Sequence, residues 1–333
     1  MWRNAMGRRS ASCIIAAVVL TAPLLATAQM STKAYRIGWL GHGSGSAANP
    51  SVADFRQGLR DLRYIEGQNL TIDYRYAEGN VDRLPDLAIE LVRLPVDVIV
   101  TSGEPAALAA KRATRTIPVV VTELGLDPVK AGLVASLGRP EGNVTGLATQ
   151  SEELWQKRLA LLKQVVPRAQ RVDVLWNPAN PGNANCVEEI KTAASALGMQ
   201  TSLFEVRDVG ALERAFPLIA REPPDALVTC WDSVTLANAK LIADFALKHR
   251  LPSVAPLREY VEAGALISLG TSLPTQRRRA AYYVDKILKG AKPENLPVER
   301  PTQFDLVINA TSAKAIGVTI PPTLIVLADE VIQ

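Results

Sequence analysis

The groups in this sequence that could do chemistry lie in short polar stretches that follow apolar runs. Ser102-Gly103-Glu104-Pro105 is one. Proline suits the first turn of a helix, so the amides ahead of it are open to an anion, and Ser102 is placed to donate to a carboxylate. Gly103 permits close backbone approach, and Glu104 reads either as a helix cap or as an acid facing a ligand. Trp231-Asp232-Ser233 is the counterpart in the second half. Asp232 and Glu104 each lie seven residues after an aspartate that opens an apolar run, Asp225 and Asp97. Asp232 could hold an ammonium or cap a helix, and Trp231 could offer an apolar or cation-binding face. Gly43 and Ser44, in Gly41-His42-Gly43-Ser44-Gly45-Ser46, offer amides and a hydroxyl, but the G-x-G-x-G spacing misses the dinucleotide fingerprint. Glu123, Asn177, Arg258 and Trp155 complete the ligand-binding candidates.

Bond-making machinery is scarce. Two histidines and three cysteines occur in 333 residues. There is no H-E-x-x-H, paired C-x-x-C, nucleophile elbow or phosphate loop. His249 reads as a cation at a helix C-terminus, and His42 as a solvated loop histidine with no acid partner. No catalytic residue, metal ligand or cofactor is therefore assigned.

The elements that must carry these loops alternate along the chain. Apolar, strand-like runs fall at 35–40, 70–76, 96–101, 118–122 and 144–147, and again at 172–176, 201–206, 226–230, 252–255 and 265–269. Amphipathic segments lie between them near 52–64, 82–94, 105–114 and 127–138, then 183–197, 209–221, 233–249 and 257–263. Short strands separated by helices predict parallel sheets covered on both faces. Asp97-Val-Ile-Val-Thr101 is echoed by Asp225-Ala-Leu-Val-Thr229, each followed by a helix and a proline-started strand. Two equivalent Rossmann-like lobes follow. Ligands of open α/β sheets bind beyond the carboxyl ends of the strands, so the cleft belongs between the two sets of strand-to-helix loops.

Residues 1–28 hold Arg3, Arg8 and Arg9, a short apolar run and an exit at Ala26-Thr27-Ala28, the pattern of a secretory signal peptide cut after Ala28. The apolar run is too short for the ~20 residues of a spanning helix. Removing three arginines from 37 basic residues leaves 34 against 33 acidic ones. That near-neutral balance argues against a nucleic-acid or anionic-membrane partner. The remaining 305 of 333 residues suffice for two domains. Cys186 and Cys230 stay open between one disulfide and two thiols.

Longer motifs carry a resemblance. Asp54-Phe-Arg-Gln-Gly-Leu-Arg60, Tyr64-Ile-Glu-Gly-Gln-Asn69, Tyr74-Arg-Tyr-Ala-Glu-Gly79 with Asp82-Arg83-Leu84-Pro85, and Arg139-Pro-Glu-Gly-Asn-Val-Thr-Gly146 resemble the ABC transporter substrate-binding proteins of the tryptophan/tyrosine-type group. Trp176-Asn-Pro-Ala-Asn180, Arg258-Glu-Tyr-Val-Glu-Ala-Gly264, Val284-Asp-Lys-Ile-Leu-Lys-Gly290, Phe304-Asp-Leu-Val-Ile-Asn309 and Ile320-Pro-Pro322 extend it to the C-terminus. The resemblance implies a type I periplasmic-binding-protein fold, α/β, with parallel sheets and three crossover segments near 145–151, 269–275 and 290–303. It implies lobes of 29–147 plus 272–292 and of 148–271 plus 293–333. It also implies a monomer in the periplasm that gives a small amino acid-like or organic-anion ligand to a membrane permease with a separate ATPase. A ligand-sensing receptor module feeding a sensor protein, or an exported α/β enzyme, is the alternative. Where the family often reads Thr-Gly-Gly-Thr-Pro this chain has Thr101-Ser-Gly-Glu-Pro105, and for Pro-Asp-Pro it has Cys230-Trp-Asp-Ser233.

Overall fold

The computed structural model describes residues 34–43, 45, 50–125, 127–149 and 154–333. The leader at 1–28 and Ser44 lie outside the described residues.

The first sheet is built from β1 (Tyr35–Gly41), β2 (Leu70–Tyr76), β3 (Val98–Ser102), β4 (Val119–Val121) and β5 (Val144–Gly146), in the order β2-β1-β3-β4-β5 and parallel throughout. The period-two alternation of a strand sorts its side chains to two faces. Ile37, Trp39, Val98, Val100 and Val120 pack on one side, and Leu40, Ile99, Val119 and Val121 on the other. Both sides are covered, which is why these strands read as continuous apolar runs. The second face carries α2 (Leu84–Val92) and α3 (Glu104–Ala113).

The first face is coated by α1 (Pro50–Asp61) and by a helix from far down the chain, α10 (Leu273–Leu288). Phe55 and Leu59 of α1 are fully buried with Ala280, Ala281 and Val284, each large side chain contributing about 1.5–3 kcal/mol. Gly58 makes the crossing possible: a Cβ there would lie 2.7 Å from the Arg278 carbonyl and 2.9 Å from the Ala281 Cβ.

The second sheet has seven strands, β12-β11-β10-β9-β8-β6-β7. In chain order these are β6 (Arg171–Trp176), β7 (Gln200–Glu205), β8 (Ala226–Thr229), β9 (Ser253–Ala255), β10 (Ile267–Gly270), β11 (Asp305–Asn309) and β12 (Glu330–Ile332). The helices α4 (Leu154–Val165), α5 (Pro181–Ala196), α6 (Val209–Arg221), α7 (Ser233–Ala237), α8 (Ala239–Lys248), α9 (Arg258–Glu262), α11 (Ala310–Ile316) and α12 (Pro322–Leu327) surround it. The two α/β lobes are those of a type I periplasmic binding protein.

Several details depart from expectation. Residues 127–138 form turns, not a helix: the Asp127 carboxylate accepts from the amides of Val129 and Lys130, and Gly132 takes a φ of +66°. The amphipathic stretch 233–249 breaks at Asn238 into α7 and α8. The strands β11 and β12 were not anticipated, and β11 runs antiparallel to β10. No helix among the described residues is long and apolar enough to cross a membrane.

Candidate functional site

The carboxyl-end loops of both sheets converge on a cavity of about 30 Å³. The first sheet supplies Glu104, at the start of α3, and Gly125, beyond β4; the second supplies Gly182 and Cys186 of α5, Trp231 after β8, and Pro256 and Leu257 after β9. Thr149 and Thr271, next to the passages between sheets, and Trp155 and Arg158 of α4 complete the wall.

Arg158 is the central charge. It is 1 % exposed, its Nε donates to the Leu269 carbonyl at 2.7 Å, and its guanidinium carbon lies 4.5 Å from the Trp155 ring centroid. Burial pushes its pKa down to about 9, and the field of Glu189 acts against that fall. The side chain therefore stays cationic near neutrality. Its Nη1 has no hydrogen-bond partner among the described residues, and neither do Trp155 Nε1 and Thr271 Oγ1. Buried donors are normally satisfied. Three wall residues thus each carry an unmet polar atom, one of them on a cation.

Glu104 stands opposite. It is 2 % exposed, takes the Gly125 amide on Oε1, and its carboxyl carbon lies 3.3 Å from where a Cβ on Gly182 would be. One carboxyl group thus touches both lobes. Burial pushes its pKa up to about 7; hydrogen bonds from its own amide and that of Gly125 oppose the rise, while Asp232 and Glu123 add to it. Gly103, its N-cap, has a φ of +81°, a conformation glycine adopts without penalty.

Asp232 lies behind the wall. Its Oδ1 accepts from Asn177 Nδ2 and the Val234 amide, and its Oδ2 from Asn180 Nδ2, while Thr235 completes a capping box on α7. A carboxylate holding three donors is an organiser of the loops, which is the capping alternative for Asp232. Asn177 is likewise committed, to Asp232 and to the Ala179 amide. The Asn183 side chain fixes the Trp231 carbonyl, and a disulfide between Cys186 and Cys230, with Cα atoms 6.3 Å apart, settles the open question of the two thiols.

The remaining candidates divide. Glu104, Trp155 and Trp231 line the cavity. Ser102 instead donates to Glu123 at 2.6 Å, and Glu123 also receives Thr122 Oγ1 and lies 3.8 Å from Arg277. Gly103 and Gly43 contribute backbone without lining the cavity. Arg258 does not line the cavity: it pairs with Glu262 and Glu330 on the surface. His42, taken for a solvated residue, is 3 % exposed and bonds Ser233 across the lobes. Arg158, Thr149, Gly125 and Thr271 were missed. Arg158 had a readable signal, an arginine on the apolar helix face made by Leu154, Trp155, Leu159 and Leu162.

The chain belongs to the ABC transporter substrate binding protein family, whose model matches residues 43–332. It is therefore of the class that binds a small solute for an ABC importer. It is similar to a tyrosine-binding protein of Clostridioides difficile (strain R20291), 26% identical over 262 residues that cover 79% of this chain and 75% of that one. A conserved domain protein of Vibrio cholerae superposes with a TM-score of 0.83 at 29% identity, covering 90% of this chain and all of that one. The ABC domain from Streptococcus pneumonia in complex with L-Trp superposes with a TM-score of 0.82 at 25% identity, with the same coverage.

Proposed function

We propose that this protein is the extracytoplasmic solute-binding component of an importer, capturing a small carboxylate between its lobes. In this reading residues 1–28 direct it to the periplasm, and a membrane permease with a separate ATPase receives the ligand. The carrying observation is Arg158, a buried cation with an unmet Nη1 donor at the cleft, accompanied by the unmet donors of Trp155 and Thr271. A carboxylate would satisfy them together and neutralise the guanidinium. Glu104 faces the same space and would hold the amine of an amino acid-like ligand when ionised. Contact with both lobes favours closure, since only differential affinity shifts an open–closed balance.

The test uses opposite signs on one residue. Removing a buried charge that has no salt-bridge partner among the described residues relieves a desolvation cost, so Arg158→Met is expected to raise the melting temperature of the ligand-free protein. The same change removes a charge-assisted hydrogen bond worth about 1.5–3 kcal/mol, weakening carboxylate binding at least tenfold by titration calorimetry. Unchanged carboxylate affinity in the variant would refute the proposal.

A further inference from the structure

We infer that the Trp231 indole fills the part of the cleft that a ligand side chain would occupy, so that the site selects short-chain carboxylates over aromatic amino acids. This rests on the carboxylate reading of Arg158. The position of Trp231 is fixed from three directions. Cys230, just before it, is bridged to Cys186; its own carbonyl is held by Asn183 Nδ2; Asp232, just after it, is locked in the capping network. From that backbone the indole crosses to the opposite lobe and lies against Gly125, where a Cβ would come within 3.3–3.4 Å of two ring carbons. The same Cβ would stand 2.8 Å from Glu104 Oε1. Glycine at 125 is what lets an indole from one lobe and a carboxyl from the other share one surface.

Volume decides what remains. The space beside Trp231 measures about 30 Å³, room for a water molecule or two, whereas a cavity that binds benzene measures roughly 150 Å³. No phenol or indole fits beside Trp231 in this closed arrangement. Acetate, with four heavy atoms, and propionate or glycine, with five, ask the least enlargement of that space, and they reach Arg158 without a large side chain to house.

The experiment is a calorimetric panel of acetate, propionate, glycine, L-alanine, L-tyrosine and L-tryptophan against the full mature chain and its Trp231→Ala and Trp231→Leu variants. The unmodified protein is expected to bind at least one short carboxylate ten times or more tightly than either aromatic amino acid. Both variants should narrow or reverse that ratio, with the aromatic ligands gaining. Preference of the unmodified protein for L-tyrosine or L-tryptophan overturns the inference and leaves the carboxylate reading standing. A preference for short ligands that both variants retain also overturns it, since another residue then sets the size. Failure of every carboxylate to bind overturns both.

Discussion

His42 and Ser233 meet at 2.5 Å, Nδ1 to Oγ, although 191 residues separate them. One follows β1 and the other opens α7, so the bond joins the two lobes directly. A typical hydrogen bond is worth about 0.5–1.5 kcal/mol net. Ser233→Ala is expected to weaken ligand binding roughly two- to tenfold by favouring the open arrangement. Titration calorimetry checks it, and unchanged affinity would exclude a role for this bond in closure.

Asp232→Ala is expected to act on stability first. The change strands two buried asparagine side chains and the Val234 amide, and leaving buried partners unsatisfied costs about 1–3 kcal/mol each. A fall of several degrees in melting temperature is the expected outcome. Affinity lost with an unaltered melting temperature would restore the direct ligand contact.

Glu104 gives a pH dependence with a definite sign. Its pKa in the folded protein is about 7, against 4.5 for an ordinary glutamate, so the folded form holds an extra proton between those values. The contribution of Glu104 to stability is then greatest below about pH 4.5, declines as pH rises through that window, and levels off above 7. The loss amounts to roughly 3 kcal/mol at most. Asp173, raised to about 6 by burial, slopes the same way. The comparison of interest is therefore Glu104→Gln with the unmodified chain: urea denaturation at pH 5 and pH 7.5 should show a smaller difference in the variant.

The disulfide spans 44 residues of sequence. Closing a loop of that length constrains the unfolded chain by up to about 4 kcal/mol. The double variant Cys186→Ser with Cys230→Ser is expected to melt earlier and to bind more weakly, because Cys186 lines the cavity and Cys230 anchors Trp231. Reductant should lower the melting temperature of the unmodified protein and leave the double variant unaffected.

Arg258→Ala supplies a control. Its pairs with Glu262 and Glu330 are on the surface, where such pairs contribute about 0–1 kcal/mol. Ligand affinity is expected to be unchanged, and a measurable loss would place Arg258 back in the site.

The strands of the first lobe were legible because parallel strands buried on both faces leave unbroken apolar runs, as Val119, Val120 and Val121 do. The strand-to-helix loops of both lobes could be named for the same reason, which brought Glu104 and Trp231 forward, while Trp155 came from its place on the helix after the first crossover. Side-chain commitments were not legible. Whether Asp232 turns to a ligand or to Asn177 and Asn180 depends on loops brought together only by folding, and the short-range capping pattern is the same in both cases. Arg158 escaped because arginines in amphipathic helices ordinarily face water. It is buried where β10, distant in sequence, lays the Leu269 carbonyl beside it. The turns at 127–138 escaped because apolar residues spaced like a helix also suit a chain folded back on itself by Pro128 and Gly132.

The pairing of α1 with α10 bears on how the protein is made. Residues 35–146 form every strand of the first sheet, yet half the cover for one of its faces comes from residues 273–288. A ribosome or a translocation pore delivers the early segment first. Until Leu288 has emerged, Phe55, Leu59 and the underlying strands remain incompletely shielded, an open greasy surface of the kind that chaperones guard. Fragments that stop short of that helix are expected to clump, so the earlier half of the gene product matures only after the later half arrives.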